Sequence, residues 1–391
     1  MEMVLEFLRD VLSQPALLIG IMSCIGLIAL KRPFHKVMTG TLKPILGYLM
    51  LAAGAGVIVN NLDPLGKMIE HGFHITGVVP NNEAIVAVAQ KVLGVETMSI
   101  LVVGLLMNLC IARFTKFKYV FLTGHHSLFM ACLMSAVLGT AGLSGMELIL
   151  VGGFLMGAWS AISPAIGQSY TSKVTDGDEI AIGHFGSLGY YLSAWVAKYV
   201  GKADDSTEDI EIPEKWGFLR DSTLSTALTM IVFYLIAAFA AGSEFVATLS
   251  GDMSPYLYAV MSAMNFAVGV TIVYSGVRMI LGDLIPAFQG IATKIIPNAI
   301  PAVDCAVFFT YAPTAVVLGF ISSFIGGIIG MLILGAVGGV LIIPGLVPHF
   351  FCGATAGIYG NATGGRRGAA VGAFLNGLAI TFLPAMALPV L

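Results

Sequence analysis

Asp304 stands at the head of a stretch, Cys305 to Gly365, that contains no Asp, Glu, Lys or Arg. So long an uncharged run predicts more than one bilayer crossing and places this carboxylate at membrane depth. A carboxylate there costs ~2.5 kcal/mol or more and marks a substrate or ion site by default. Glu83 echoes it: Pro80-Asn81-Asn82-Glu83 and Pro301-Ala302-Val303-Asp304 both set an acid three residues after a proline. Each acid can accept hydrogen bonds from solute hydroxyls, and each can equally cap a broken helix. The two roles are compatible, because a broken helix aims its end at a midplane site. His125 lies in Leu122-Thr123-Gly124-His125-His126 and His184 in Ile182-Gly183-His184-Phe185-Gly186; His349, after Val347-Pro348, is a weaker third. A histidine on an apolar face is more often a satisfied core residue, but the Thr-Gly pair before His125 predicts a locally open helix. Its ring can donate or accept a hydrogen bond.

The elements that must position these groups are membrane helices. The 391 residues are 57% hydrophobic and only 10% charged, with a mean hydropathy of +0.92, against about 25% charged in a soluble domain. Spanning helices satisfy their own backbone hydrogen bonds, and the alternating pattern of a barrel is absent. Charge-free stretches at 11–30, 44–62, 97–112, 119–146, 148–172, 222–243, 253–277 and 368–391, with the run after Asp304, predict an all-α polytopic membrane protein. About ten to eleven transmembrane helices are expected, with two re-entrant hairpins at 70–96 and 296–320 and a faint internal repeat. Glycines four apart, such as Gly153/Gly157 and Gly326/Gly330, suit helices packed closely in lipid.

The basic clusters Lys31, Arg32, Lys36, Lys43 and Arg113, Lys116, Lys118 predict cytoplasmic loops, with the N-terminus outside. The first apolar stretch, Val11 to Leu30, is long enough for a retained span rather than a cleaved signal. The hydrophilic segment Lys198 to Arg220 divides the chain near its middle; a solvated linker and a docking surface for a soluble partner both fit it.

Several functions are excluded on pattern. Net charge is −3 without a basic tract, so nucleic acid is not expected. Five scattered cysteines and the absence of HExxH speak against a metal site. No GxSxG or nucleotide-binding loop is present, so no catalytic residue is assigned and no ATP drives transport from this chain.

Val174-Thr175-Asp176-Gly177, Ile182-Gly183-His184, Leu122-Thr123-Gly124-His125 and Ala302-Val303-Asp304-Cys305-Ala306 form a recognisable set. With Ala53-Gly54-Ala55-Gly56, Phe288-Gln289-Gly290-Ile291, Tyr311-Ala312-Pro313-Thr314 and Ile342-Ile343-Pro344-Gly345, they keep order from the first span to about residue 375. The chain thereby resembles the membrane IIC component of the bacterial phosphotransferase system (PTS), ascorbate type. The resemblance implies a homodimer in the inner membrane, each protomer having a V-shaped scaffold (1–70 and 215–295) and an elevator-like core (71–200 and 296–391), joined by a linker at 201–214. It implies inward movement of L-ascorbate or a related sugar or polyol. The solute is phosphorylated by a separate IIB protein, fed from phosphoenolpyruvate through IIA, with no cofactor on this chain.

By the same resemblance the solute contacts are Gly54, Asn82, Glu83, His125, Phe129, Phe185 and Asp304, with His184 as a weaker candidate. Gly54, His125 and Asp304 match the family pattern. Asn82-Glu83 replaces Thr-Tyr, while Phe129 and Phe185 each replace glutamine. A second carboxylate at Glu83 would repel an anion unless protonated or paired with His125. Phenyl rings in place of amides suit the carbon–hydrogen faces of a sugar, which favours a neutral sugar or polyol over ascorbate. The alternative is a proton-coupled sugar or carboxylate symporter using Glu83, Asp304 and His125 as its relay.

Overall fold

The computed structural model describes residues 10–11, 14–74, 82–210 and 222–387. Its helices are α1 (Pro15–Ala29), α2 (Phe34–Gly72), α3 (Asn82–Phe114), α4 (Gly124–Thr140), α5 (Gly145–Thr175), α6 (Ser187–Val200), α7 (Ser222–Ala241), α8 (Ser243–Ser250), α9 (Pro255–Lys294) and α10 (Pro313–Ala336). After a short turn at Leu346–Pro348, a π-helical turn at His349–Gly353 leads into α11 (Ala354–Ala387). Three short strands, β1 (Tyr119–Phe121), β2 (Ala181–Ile182) and β3 (Ile300–Val303), interrupt the helical pattern.

Six of these helical segments are long and apolar enough to cross a membrane. A seventh is possible if α7 and α8, bent by 117° at Gly242, count as one broken span. Two shorter apolar helices, Ala16–Ala29 and His126–Thr140, add to them. The expectation of ten to eleven therefore exceeds what the described residues hold. The difference arises because the stretches at 11–30 and 119–146 form helices shorter than a full span, and because one helical segment, Leu346–Ala387, takes up both the end of the run after Asp304 and the stretch from 368.

Two groups of helices pack among themselves: α1, α2, α7 and α9 in one, and α3 to α6, α10 and α11 in the other. In the first, α2 and α9 cross at paired glycines. A Cβ on Gly54 would lie 2.7 Å from the Gly269 carbonyl, and one on Gly269 2.9 Å from that of Gly54. Only the missing side chains let the backbones approach this closely. Between the groups, Phe350 of the π-turn meets Phe266 of α9 edge-on at 5.0 Å, and also Phe320 and Phe309.

The segments expected as twin hairpins take different backbones. Glu83 lies at the start of α3, whose helix bends at Leu93 (φ −129°, ψ 38°), and Pro80 lies outside the described residues. Asp304 follows a strand and opens a 3-10 helix, Cys305–Thr310, before α10 begins at Pro313. This second segment is buried almost throughout, as irregular backbone must be when it lies among membrane helices.

The hydrophilic segment is mostly exposed over the part described, 201–210, as a solvated linker is, and it is also tied to the helices. Thr207 is buried, and its N–H donates to Asn361 Oδ1 at 2.8 Å. Arg366 donates from Nε to Ser206 O at 3.1 Å and sits 3.3 Å from Asp205 Oδ1. Glu208 accepts from Thr314 N (3.0 Å), Ala315 N (3.1 Å) and Thr314 Oγ1 (2.9 Å), which caps α10. The strap fits beneath α11 because Gly365, at φ 60°, breaks that helix where Lys202 O and Asp205 O leave no room for a Cβ. Residues 211–214 lie outside the described residues.

Candidate functional site

The three strands form a parallel sheet in the order β1-β3-β2, with Phe121 opposite Ala302 and Ile182 opposite Val303. Parallel strands send their C-terminal ends the same way. Pairing continues past the strands: Leu122 N donates to Ala302 O at 2.9 Å and Gly183 N to Val303 O at 2.7 Å. Both open edges are closed by amide side chains. Asn108 of α3 donates to Tyr119 O and accepts from Phe121 N, each at 3.0 Å; Gln168 of α5 donates to Ile180 O at 3.2 Å. Each amide supplies backbone partners that a buried sheet edge otherwise lacks.

The residues that follow the three C-terminal ends meet. Asp304 comes from β3, His184 and Phe185 from β2, and His126 and Phe129 from the first turns of α4 after β1. Asp304, His126 and His184 are 7%, 7% and 4% exposed. One Asp304 oxygen accepts from Ala306 N at 3.0 Å, capping the 3-10 helix, and the other lies 3.8 Å from His126 Nε2. That separation is long for a hydrogen bond and within ion-pair range when the ring is protonated. The His126 and His184 rings lie 4.0 Å apart between centroids, with Phe185 5.1 Å and Phe129 6.0 Å from His126, both edge-on. Three helix N-termini begin here, those of α4, α6 and the 3-10 helix. Their N–H groups and dipoles favour negative charge or hydroxyl oxygens.

The sequence-based candidates fare unequally. Asp304, Phe129, Phe185 and His184 converge. The histidine ring described in the cluster is His126, one residue beyond the expected His125. The side chains of His125, Asn82 and Glu83 lie outside the described residues, although Asn82 and Glu83 open α3. Gly54 keeps α2 close to α9, packed against Gly269 and Val273. His349 is buried away from the cluster, paired with Ser323 Oγ at 2.8 Å. Sequence reasoning passed over His126, Asn108 and Tyr190. The doubled histidine before a span signals the first; only the sheet explains the second and third.

Fold and site together define a multi-pass membrane protein that buries acid, imidazole and phenyl groups at one point among its spans. A family model described as the sugar-specific permease component of the PTS system (EIIC-GAT) matches residues 10–391. The chain belongs to that family. It is similar to the ascorbate-specific PTS system EIIC component of Mycoplasma pneumoniae, at 28% identity over 424 aligned positions. The match covers 93% of this chain and 63% of that protein, so the chain spans less than two thirds of its relative's length.

Proposed function

We propose that this chain is the membrane-embedded IIC permease of a phosphotransferase system, carrying L-ascorbate or a related sugar or polyol inward for phosphorylation by a separate IIB protein. The observation that carries this reading is the cluster at the strand ends. Asp304 accepts from solute hydroxyls, the imidazoles of His126 and His184 supply further hydrogen bonds, and Phe129 and Phe185 flank the ring. Sugar sites combine these elements, because hydroxyls need fixed polar partners while ring carbon–hydrogen faces need flat apolar walls. The relative's ascorbate specificity and the three helix N-termini support an anionic or enolic solute, with Asp304 balanced by Ala306 N–H and His126. Asn82, Glu83 and His125 complete the proposed solute contacts, beside Gly54 as the family pattern has it.

On this reading the two packing groups act as scaffold and moving core, in a homodimer of the cell membrane with its N-terminus outside. The strap at 201–210 travels with the core, because it is bonded to both α10 and α11.

Vesicles containing the protein, supplied with already phosphorylated IIA protein and with IIB, test the reading. Phosphorylated solute accumulating only when IIB is present is the expected result. Accumulation of unmodified solute driven by a proton gradient would instead establish a symporter.

A further inference from the structure

His184 is held by more than its neighbours at the cluster. Its Nδ1 lies 3.0 Å from the backbone nitrogen of Gly186 and 3.2 Å from the hydroxyl of Tyr190. A backbone N–H can only donate, so Nδ1 must carry the lone pair and the ring proton must sit on Nε2. With Nδ1 unprotonated, the Tyr190 hydroxyl completes the arrangement by donating as well. Tyr190 is fully buried at 0% exposure. The plane of the imidazole is fixed too. Phe185 stacks on it at 5.3 Å and 11°, and Tyr190 tilts against it at 5.4 Å.

We propose that Tyr190 is a positioning residue that, with the Gly186 N–H, fixes His184 as the Nε2–H tautomer, so that His184 offers the solute a hydrogen-bond donor and no acceptor. A one-sided group of this kind selects among solutes. It meets an oxyanion, carbonyl or hydroxyl oxygen well and leaves a solute N–H or ammonium without a partner, which discriminates strongly at a buried site. The specificity consequence rests on the sugar-permease reading; the tautomer does not.

The test uses full-length protein in lipid nanodiscs, labelled with nitrogen-15 at histidine, with the His184 signals assigned by their loss in His184→Gln. The wild type is expected to show an unprotonated Nδ1 and a protonated Nε2. In Tyr190→Phe the Nδ1 resonance is expected to move as its second donor disappears, and affinity for L-ascorbate or the best-bound sugar to fall about two- to tenfold, the worth of one hydrogen bond. His184→Gln, which keeps an N–H donor, is expected to bind at least about tenfold more tightly than the acceptor-only His184→Glu. A protonated Nδ1 in the wild type overturns the inference. So does a Tyr190→Phe variant with a lowered melting temperature and an unmoved Nδ1 resonance, because that is a packing role. If the resonances behave as expected and no sugar or ascorbate binds to the wild type, the tautomer stands and the permease reading fails.

Discussion

Two carboxylates in this molecule cap helices, and they use their oxygens differently. Glu208, on the hydrophilic strap, accepts from the N–H groups of Thr314 and Ala315 and from the Thr314 hydroxyl. Both its oxygens serve the N-terminus of α10, 106 positions away in sequence. Asp304 caps its own 3-10 helix through Ala306 N–H, two residues on, with one oxygen, and turns the other towards His126. The first acid is a structural tie. The second is a cap that also faces a buried cluster of imidazole and phenyl rings. A helix-capping acid is thus recognised as a site residue by what its remaining oxygen meets, and not by the cap.

Substitutions can break this contrast, beginning with the largest effect. Asp304→Ala is expected to abolish solute binding while the purified protein elutes unchanged; Asp304→Asn, which keeps the shape, is expected to weaken binding by roughly tenfold to a hundredfold, the worth of a charge-assisted hydrogen bond. Calorimetry checks both, and unaltered affinity would remove Asp304 from the site. Asn108→Leu strands the Tyr119 carbonyl and Phe121 N–H at the sheet edge. It is expected to cost about 2–6 kcal/mol of stability, at 1–3 for each buried group left unpaired, read as a lowered midpoint in denaturant. Glu208→Gln weakens the cap on α10 and is expected to cost about 1 kcal/mol, with solute affinity unchanged. A loss of affinity there would mean that the strap acts on the site. Smallest is the pair Phe129→Gln and Phe185→Gln, expected to shift the ratio of ascorbate to neutral-sugar affinity a few-fold towards ascorbate, as donors return to the walls.

Much of the architecture was legible because lipid imposes simple rules. Composition and charge-free runs revealed the spans, and a carboxylate heading an uncharged stretch revealed Asp304. The parallel sheet was not legible, since strands of two to four residues leave no periodicity to read. Ala181-Ile182 is indistinguishable from any apolar pair. His126 was passed over for the same reason. Without β1 in place, nothing in the sequence shows that the second histidine of the pair faces Asp304, because adjacent positions on a helix point about 100° apart. Gly54 shows a related ambiguity. Small residues that let a solute approach a backbone are identical in sequence to those that let a neighbouring helix approach it, and Gly54 packs against Gly269 of α9.

The central claim is that the strand ends form the solute site of a sugar permease. Its most direct test is calorimetric titration of L-ascorbate, pentoses, hexoses and polyols into the purified wild type and Asp304→Asn in nanodiscs at pH 7. Saturable binding of ascorbate or one of the sugars to the wild type, weakened at least about tenfold in the variant at an unchanged melting temperature, is the predicted result. Binding of equal strength to both proteins would place the solute elsewhere and contradict the account.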